Sequence, residues 1–212
     1  MDNTSTSNRI GRPRTPRLSR KAIGRAALAM LENEGSISIP RLADSLGVRQ
    51  SSFYKHVTGR QEIIELARGA LVDRVQTPVH SADGLDDVIR QTFDALRTAY
   101  RQVPALLPLM LTQPVSHPAA LELYDRFAAA FQLAGTPTHL IIPALESIDS
   151  AAIGATLDAY TMEAAWDIRD EDRSLYPHLS AAQAAVSAEH VDRFAFLADV
   201  LSAGLRATID GT

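Results

Sequence analysis

The chain has 212 residues and no cysteine, 46% of its residues are hydrophobic, and its formal net charge is −4 at pH 7. The absence of cysteine excludes disulfides, thiolate nucleophiles and cysteine-based zinc sites. The charge is polarised: residues 1–60 hold 11 basic and 4 acidic side chains, whereas residues 61–212 hold 10 basic and 21 acidic ones. A polyanionic partner is therefore expected for the amino-terminal part alone, unless the basic charge only forms a solvated face.

Residues 1–18 are rich in Ser, Thr, Asn, Arg and Pro and have few apolar side chains, so we expect a disordered basic arm. The run 11–14, Gly-Arg-Pro-Arg, is flanked by Arg9, Arg17 and Arg20. Such runs are typical of arms that enter an A·T-rich minor groove, where the negative potential attracts arginine. A tail that only increases solubility is an equally good interpretation.

The next segment predicts a helix and then two short helices joined by a tight turn. Ser19 can cap a helix that runs to about Asn33 and ends at Gly35. The apolar residues that follow at i, i+3, i+4 and i+7 are Ile39, Leu42, Ala43 and Leu46. Ser38 can cap this second helix, with Pro40 in its first turn. Gly47 permits the left-handed turn that ends it.

A third short helix would bury Phe53 and Val57 against the second and leave polar residues outward. This arrangement predicts a helix-turn-helix, in which the last helix enters the major groove of DNA. A helical hairpin without a partner would show the same apolar spacing but not the surrounding positive charge. The sequence Thr58-Gly59-Arg60-Gln61 fits a capping box that starts a fourth helix, from Gln61 to about Val75.

Beyond Pro78 the pattern shows no strand, only helical runs separated by Pro and Gly. We place these runs at about 84–101, 104–113, 117–134, 137–166 and 187–208. The runs 139–165 and 187–208 carry apolar or small residues on more than one face, which favours a four-helix interface between two copies of the chain. A self-contained bundle core is the alternative. The fold class is all-α.

Sequence patterns of catalysis or metal binding are absent. The six histidines show no H-x-x-x-H spacing, and the chain has no G-x-S-x-G, P-loop or dinucleotide fingerprint. Asp167, Asp170, Glu171 and Asp172 crowd a predicted loop but lack the Gly and the final Glu of a calcium loop. We therefore expect no enzyme activity, no metal and no cofactor. Residues 103–111 are too short an apolar run to cross a bilayer, and no signal peptide is evident, so we expect a cytoplasmic protein.

The combination of a basic helix-turn-helix segment with a following series of helices resembles the tetracycline-repressor (TetR) family of bacterial transcription regulators. The most specific match is LADSLGVRQSSFYKHVTGRQEII, Leu42 to Ile64, which is similar to the family pattern L-A-x-x-L-G-V, a following aromatic, His-Val or His-Phe, and a basic residue that opens the fourth helix. The tail from Arg193 to Ala207 is similar to the closing helix of one subgroup. The resemblance implies a basic arm (1–18), a three-helix DNA-binding domain (19–65) and a helical ligand-binding and dimerisation domain (66–212).

The resemblance also implies roles for residues of the reading helix. The residues at positions that reach base edges are Gln50, Ser51, Ser52 and Lys55, and those at phosphate-contacting positions are Tyr54, His56 and Arg60. The chemistry agrees, since Gln can bond adenine twice and Lys suits guanine; Tyr54 could instead pack under the rim of the domain. Two positions depart from the family. Arg49 replaces the usual Ser or Thr cap and adds a charge at the groove edge, and Pro40 stands where some members have a base-reading Arg.

Members of the family usually hold a pocket whose ligand moves the fourth helix and changes the spacing of two DNA-binding heads. Our candidate lining residues are Phe93, Leu96, Tyr100, Leu109, Met110, Gln113, Tyr124, Phe127, Phe131, Tyr160 and Trp166. Such a lining would favour a mostly apolar molecule, such as an aromatic or polyketide-like compound, although each residue could be ordinary core. The prediction is a homodimeric repressor that binds a palindromic double-stranded operator and is released by a small molecule. The alternative is an activator or a ligand-independent DNA-binding protein of the same fold.

Overall fold

The computed structural model describes residues 18–75, 84–161 and 166–211, and within these ranges it contains helices and no strand. The helices are α1 (Arg20–Glu34), α2 (Ile39–Ser45), α3 (Gln50–Phe53), α4 (Arg60–Val72), α5 (Gly84–Tyr100), α6 (Leu107–Met110), α7 (Pro118–Leu133), α8 (Thr138–Thr161), α9 (Pro177–Glu189) and α10 (Arg193–Asp210). The all-α prediction is confirmed. The arm predicted for residues 1–18 lies outside the described residues except for Leu18.

Helix α1 has the caps that the sequence predicts. The Ser19 hydroxyl accepts a hydrogen bond from the Ala22 N–H at 3.1 Å, and Gly35 ends the helix with φ 67°. In the middle of the helix, a Cβ on Gly24 would lie 2.3 Å from the carbonyl oxygen of Leu66 in α4. Only glycine fits such a contact, so α1 and α4 lie backbone against backbone there.

The helix-turn-helix is formed by α2 and α3. Pro40 lies in the first turn of α2, and Gly47 turns the chain with φ 65°, both as predicted. Ser38 occupies the predicted N-cap position of α2, but its side chain makes no capping hydrogen bond; its backbone N–H donates to the Met30 sulfur at 3.4 Å. Helix α3 has four residues and begins after Arg49, which also makes no side-chain cap.

Helix α4 begins with a different cap from the predicted one. Its N-cap is Gly59, and Thr58 donates both its backbone N–H (2.6 Å) and its hydroxyl (2.9 Å) to the Glu62 carboxylate rather than engaging Gln61. The Thr58 N–H is the largest cause that holds the pKa of Glu62 below its ordinary value; burial opposes it, and the Thr58 hydroxyl and Arg20 add to it. A carboxylate is the stronger acceptor, so it displaces the neighbouring amide as the partner.

The body of the protein is built around α5, which packs against α8 and α10, while α7 packs against α4 and α8. The predicted runs match α5, α7 and the described part of α8, and the run 104–113 is a 3-10 turn (Pro104–Leu106) followed by α6. The start of the last predicted run, 187–208, is wrong. Residues 187–189 belong to α9, which closes at His190 with φ 53°, and α10 starts at Arg193. Helix α9 has no buried residue, so no apolar stripe marked it.

Two further predictions can be compared with the fold. Among the described residues, Thr138–Tyr160 of α8 is long and apolar enough to cross a membrane by composition, but it packs against α5, α7 and α10 as a core helix of the bundle. The acidic loop includes the 3-10 turn Asp170–Asp172. Its carboxylates Asp170, Glu171 and Asp172 pair with Arg169 and Arg173 at 2.5 to 2.8 Å, so the two arginines offset part of the negative charge of the loop.

Candidate DNA-binding face and effector cavity

The polar residues of α3 and of the turn after it lie on the outside of the protein. The exposed ones are Arg49, Gln50, Ser51, Tyr54 and Lys55, and the half-buried ones are Ser52 and His56. Phe53 and Val57 are buried in the core, with exposed fractions of 0% and 2%. Phe53 therefore anchors α3 to the core, and Val57 anchors the turn that follows it. The opposite face of α3 is exposed and can contact a partner. We call the residues Arg49 to His56, apart from Phe53, the reading face.

Three cations lie on or beside the reading face, and no described acidic residue pairs with them. Arg49, Lys55 and Arg60 form no ion pair in the described part of the chain. Elsewhere in the same domain, Lys21 pairs with Asp73 at 2.9 Å and Arg41 with Glu34 at 2.7 Å. The uncompensated positive charge is thus located at the reading face, and such a concentration of charge favours a polyanionic partner.

Three residues named in the sequence analysis, Arg60, Tyr54 and Arg20, contact other residues of the protein. Arg60 donates one N–H to the carbonyl oxygen of Ile37 at 2.9 Å, which positions its guanidinium beside the turn before α2. Tyr54 is 49% exposed and rests its ring edge-on against Phe53, with ring centres 6.2 Å apart, so it both packs and stays accessible. Arg20, expected to flank the arm, pairs instead with Glu62 of α4.

Helix α4 is joined to the body through the carboxylate of Glu65. This carboxylate accepts hydrogen bonds from the N–H (2.8 Å) and hydroxyl (3.1 Å) of Ser116 and the N–H of His117 (2.9 Å), just before α7. It also accepts from Gln113 at 3.1 Å and from Arg68 at 2.8 Å. We call this network the α4–α7 junction. It includes Gln113, one of the residues predicted to line a pocket.

The electrostatics of the junction keep Glu65 charged. Burial raises the pKa of Glu65, but the hydrogen bonds from Ser116, Gln113 and Arg68 outweigh it, and the pKa lies below its ordinary value. A second close contact lies one turn along α4, where a Cβ on Gly69 would meet the His117 ring at 2.1 Å. Hydrogen bonds and close packing therefore join the start of α7 to α4, and α4 is packed directly against α1.

A cavity of about 700 Å³ lies between α7 and α8. Its lining residues are Val115, Leu121, Glu122, Tyr124, Asp125, Ala128, Ile142, Leu145, Glu146 and Asp149. The volume is in the range of small-molecule sites. The lining differs from the predicted one, since Tyr124 is the single residue shared by the two sets. The sequence feature that could have indicated this cavity is a pair of carboxylates spaced i, i+3 on each of the helices α7 and α8.

The other predicted lining residues are distributed elsewhere. Those buried in the core are Phe93, Leu96, Tyr100, Met110, Phe127 and Phe131, and Leu109 packs against them. Tyr160 and Trp166 are each 60% exposed. Tyr160 lines a second cavity of about 260 Å³ with Arg97, Arg101 and Phe194 among its walls. The structure thus does not bring the predicted set together around one space.

Two tyrosines converge on Asp149 at the inner side of the larger cavity. The Tyr124 hydroxyl donates to an Asp149 oxygen at 2.9 Å, and the Tyr100 hydroxyl donates to the same oxygen. Burial is the main cause that raises the pKa of both phenols, and the negative charge of Asp149 raises them further. Both phenols therefore stay protonated and act as neutral donors to the carboxylate.

Comparison with known proteins identifies the class. A family model described as "Tetracyclin repressor-like, C-terminal domain" matches residues 77–209. The chain therefore belongs to the TetR family of transcriptional regulators, as the sequence predicts. It is 29% identical over 174 residues to an HTH-type transcriptional regulator of Saccharopolyspora erythraea, covering 80% of this chain and 72% of that protein. It is 28% identical over 157 residues to the HTH-type transcriptional repressor DrrR1 of Streptomyces coeruleorubidus, covering 71% of this chain and 57% of DrrR1.

Solved structures show the same fold. ActR of Streptomyces coelicolor in complex with actinorhodin superposes with a TM-score of 0.76 at 18% identity, covering 92% of this chain and 98% of that one. ActR without ligand superposes with a TM-score of 0.74 at 18% identity, covering 90% and 97%. At this level of identity the likeness establishes the arrangement of the helices and not the ligand.

Proposed function

We propose that this protein is a homodimeric transcriptional repressor, acting in the cytoplasm, that binds a palindromic operator through α3 and leaves it when a small molecule occupies the body. The observation that carries the proposal is the open reading face flanked by the uncompensated cations Arg49, Lys55 and Arg60. DrrR1 is named a transcriptional repressor, which supports repression rather than activation. The complex of ActR with actinorhodin supports a response to a small molecule.

Each residue of the reading face has a role in this proposal. The residues that contact base edges are Gln50, Ser51, Ser52 and Lys55, and those that contact phosphates are Tyr54, His56 and Arg60. Arg49 adds a charge at the edge of the groove. A glutamine can bond adenine in two places, whereas a guanidinium on a phosphate adds affinity without reading sequence.

The dimer would form through the outer faces of α8 and α10. On α10, Phe196 is 64% exposed and Val200 is 51% exposed, one turn apart. Exposed small residues continue this surface. On α10 they are Ala203, Gly204 and Ala207, and on α8 they are Ser147, Ser150 and Gly154. Apolar and small side chains on a solvent-facing helix allow close packing against a second copy. Two-fold pairing would set two α3 helices against successive major grooves.

Release would pass from the cavity through the α4–α7 junction. Val115 lines the cavity and directly precedes Ser116 and His117, whose N–H groups donate to Glu65 on α4. A ligand that favours one position of this segment would favour one position of α4 and of the head. The effect is a population shift, which requires different affinities of the ligand for the two head spacings.

Selection of bound sequences from a random pool of duplex DNA tests the whole proposal. We expect a palindrome whose half-sites are about one helical turn, or a multiple of it, apart. Affinity for this sequence should fall steeply with salt, because each phosphate contact releases a counterion. Recovery of no preferred sequence, or binding that is insensitive to salt, would remove the proposal. A transcription assay in cells without the protein then decides between repression and activation.

The Gln50→Ala variant is expected to lose discrimination at one base pair of the selected operator, by about 1–3 kcal/mol, because it loses its base-edge contact. Arg60→Ala should instead weaken all sequences by a similar factor. Competition binding on operators with single base changes measures both, with Gln132→Ala, an exposed glutamine at the end of α7, as the control. Uniform losses from both variants would contradict the assigned roles.

The Phe196→Asp variant is expected to be monomeric, since a carboxylate at the centre of the proposed α8–α10 interface would be desolvated without a partner. Light scattering should then give the mass of one chain instead of two. Leu133→Asp, at a residue that is 70% exposed at the end of α7, is the matched control and should remain dimeric. A monomeric native chain, or a Phe196 variant that still pairs, would refute this interface.

A further inference from the structure

Four acidic residues and, among the described residues, no cation line the cavity between α7 and α8. Glu122 and Asp125 lie one turn apart on α7, and Glu146 and Asp149 lie one turn apart on α8. The remaining walls are the Tyr124 ring and the apolar side chains Val115, Leu121, Ala128, Ile142 and Leu145. The described lining contains no Lys, Arg or His. The cavity therefore combines a negative charge with an apolar surface.

The residues that the structure describes provide no ion-pair partner for these four carboxylates. None of them forms an ion pair within 4.0 Å with another residue of the described ranges. Helix α8 contains no Lys or Arg, and the single one in α7, Arg126, is exposed and does not line the cavity. At the contact between α5 and α10, by comparison, Asp86 is paired with Arg206 and Asp199 with Arg90.

Asp149 differs from the other three carboxylates in its environment. It is half-buried, and its described hydrogen-bond partners are the neutral hydroxyls of Tyr100 and Tyr124. Hydrogen bonds from neutral phenols orient a carboxylate but supply no opposite charge. A partly desolvated carboxylate attracts a positive charge much more strongly than one in bulk water. Tyr124 also lines this space, and the π surface of an aromatic ring favours cations.

We propose that this cavity binds organic cations that consist of a protonated amine attached to an apolar body. The amine lies among Asp149, Glu146 and Asp125, and the apolar body contacts Leu121, Ile142 and Leu145. The volume of about 700 Å³ accommodates a molecule of drug size. This ligand class rests on the proposed effector-responsive function, and it adds a positive charge to the mostly apolar molecule that the sequence predicts.

Fluorescence titration of the purified full chain, without DNA, tests the inference. The probe is dansylcadaverine, a naphthalene sulfonamide with a primary amine, and its N-acetyl derivative is the neutral reference with the same apolar body. We expect the amine to bind at least about ten-fold more tightly than the acetylated compound. Equal affinities for the two compounds, or no saturable binding of the amine, would overturn the proposal.

Variants of the cavity locate the binding site. Glu146→Gln, at an exposed residue whose change should not disturb folding, and Asp149→Asn should each weaken binding of the amine by about ten-fold. Glu189→Gln removes the same charge from the exposed end of α9 and should leave the affinity unchanged. A loss in Glu189→Gln equal to that in Glu146→Gln would show unspecific attraction and refute the site. Because no DNA is present, failure of this test leaves operator binding intact, and failure of the DNA selection leaves these titrations interpretable.

Discussion

Replacing Glu65 by alanine is expected to lower the free energy of unfolding by about 3–5 kcal/mol, because it leaves the Arg68 charge buried without its partner. The Ser116 and His117 N–H groups before α7 lose their acceptor at the same time. Urea denaturation followed by circular dichroism measures the loss. The variant should also bind operator DNA more weakly at equal folded fraction, since the junction positions α4 relative to the body.

A matched control for Glu65→Ala is Glu32→Ala on α1. Glu32 pairs with Arg74 at the surface, and its side chain is 31% exposed, so we expect a loss of less than about 1 kcal/mol. Similar losses from the two variants would contradict the structural role of the junction. The effect has a pH signature. Because the pKa of Glu65 is lowered, its stabilisation is complete above the ordinary value of 4.5 and is lost as the pH falls through the lower folded value.

The Phe53→Ala variant is expected to destabilise the protein by about 3–5 kcal/mol, since Phe53 is fully buried and its removal leaves a cavity. Helix α3 has only four residues, and a helix of that length has no stability of its own. The reading face should therefore lose its fixed position together with the packing. Thermal unfolding and operator binding, measured on the same preparation, should decrease in parallel.

The neighbouring residue offers the contrast. Tyr54 is 49% exposed, so Tyr54→Ala should change stability by no more than about 0.5 kcal/mol while it weakens binding to all DNA sequences. Comparison of Phe53→Ala with Tyr54→Ala therefore separates the effect of core packing from the effect of DNA contact at adjacent positions. A stable Phe53→Ala protein with normal affinity, or a Tyr54→Ala protein that unfolds, would show that the two roles are exchanged or absent.

The DNA-binding head could be predicted from sequence because its determinants are local. Ser19 and Gly35 bound α1, Gly47 makes the turn, and Phe53 is buried where the helical period places it. The errors concern the choice between nearby partners. Thr58 bonds the Glu62 carboxylate instead of capping toward Gln61, and such a choice depends on side-chain geometry that spacing does not contain.

The cavity between α7 and α8 could not be predicted, although the acidic pair that each helix contributes is visible in the sequence. The pairs Glu122 with Asp125 and Glu146 with Asp149 follow from helical spacing on α7 and α8 separately. The aromatic residues that suggested a pocket, such as Phe127, fill the core instead. The packing of the whole bundle determines which face of a helix contacts its neighbour. Many residues contribute to that packing energy, and no single pair of residues determines it.

The sequence by itself determined the family, the helical class, the position of the head and the separation of positive from negative charge, since all of these depend on composition or on neighbours within a few turns. Only the tertiary structure decided that Glu65 reaches Ser116, 51 residues away, and that four carboxylates of two helices surround one cavity. The physical reason is that a helical period specifies which side chains share a face, whereas the angle and register at which helices pack specify what that face contacts.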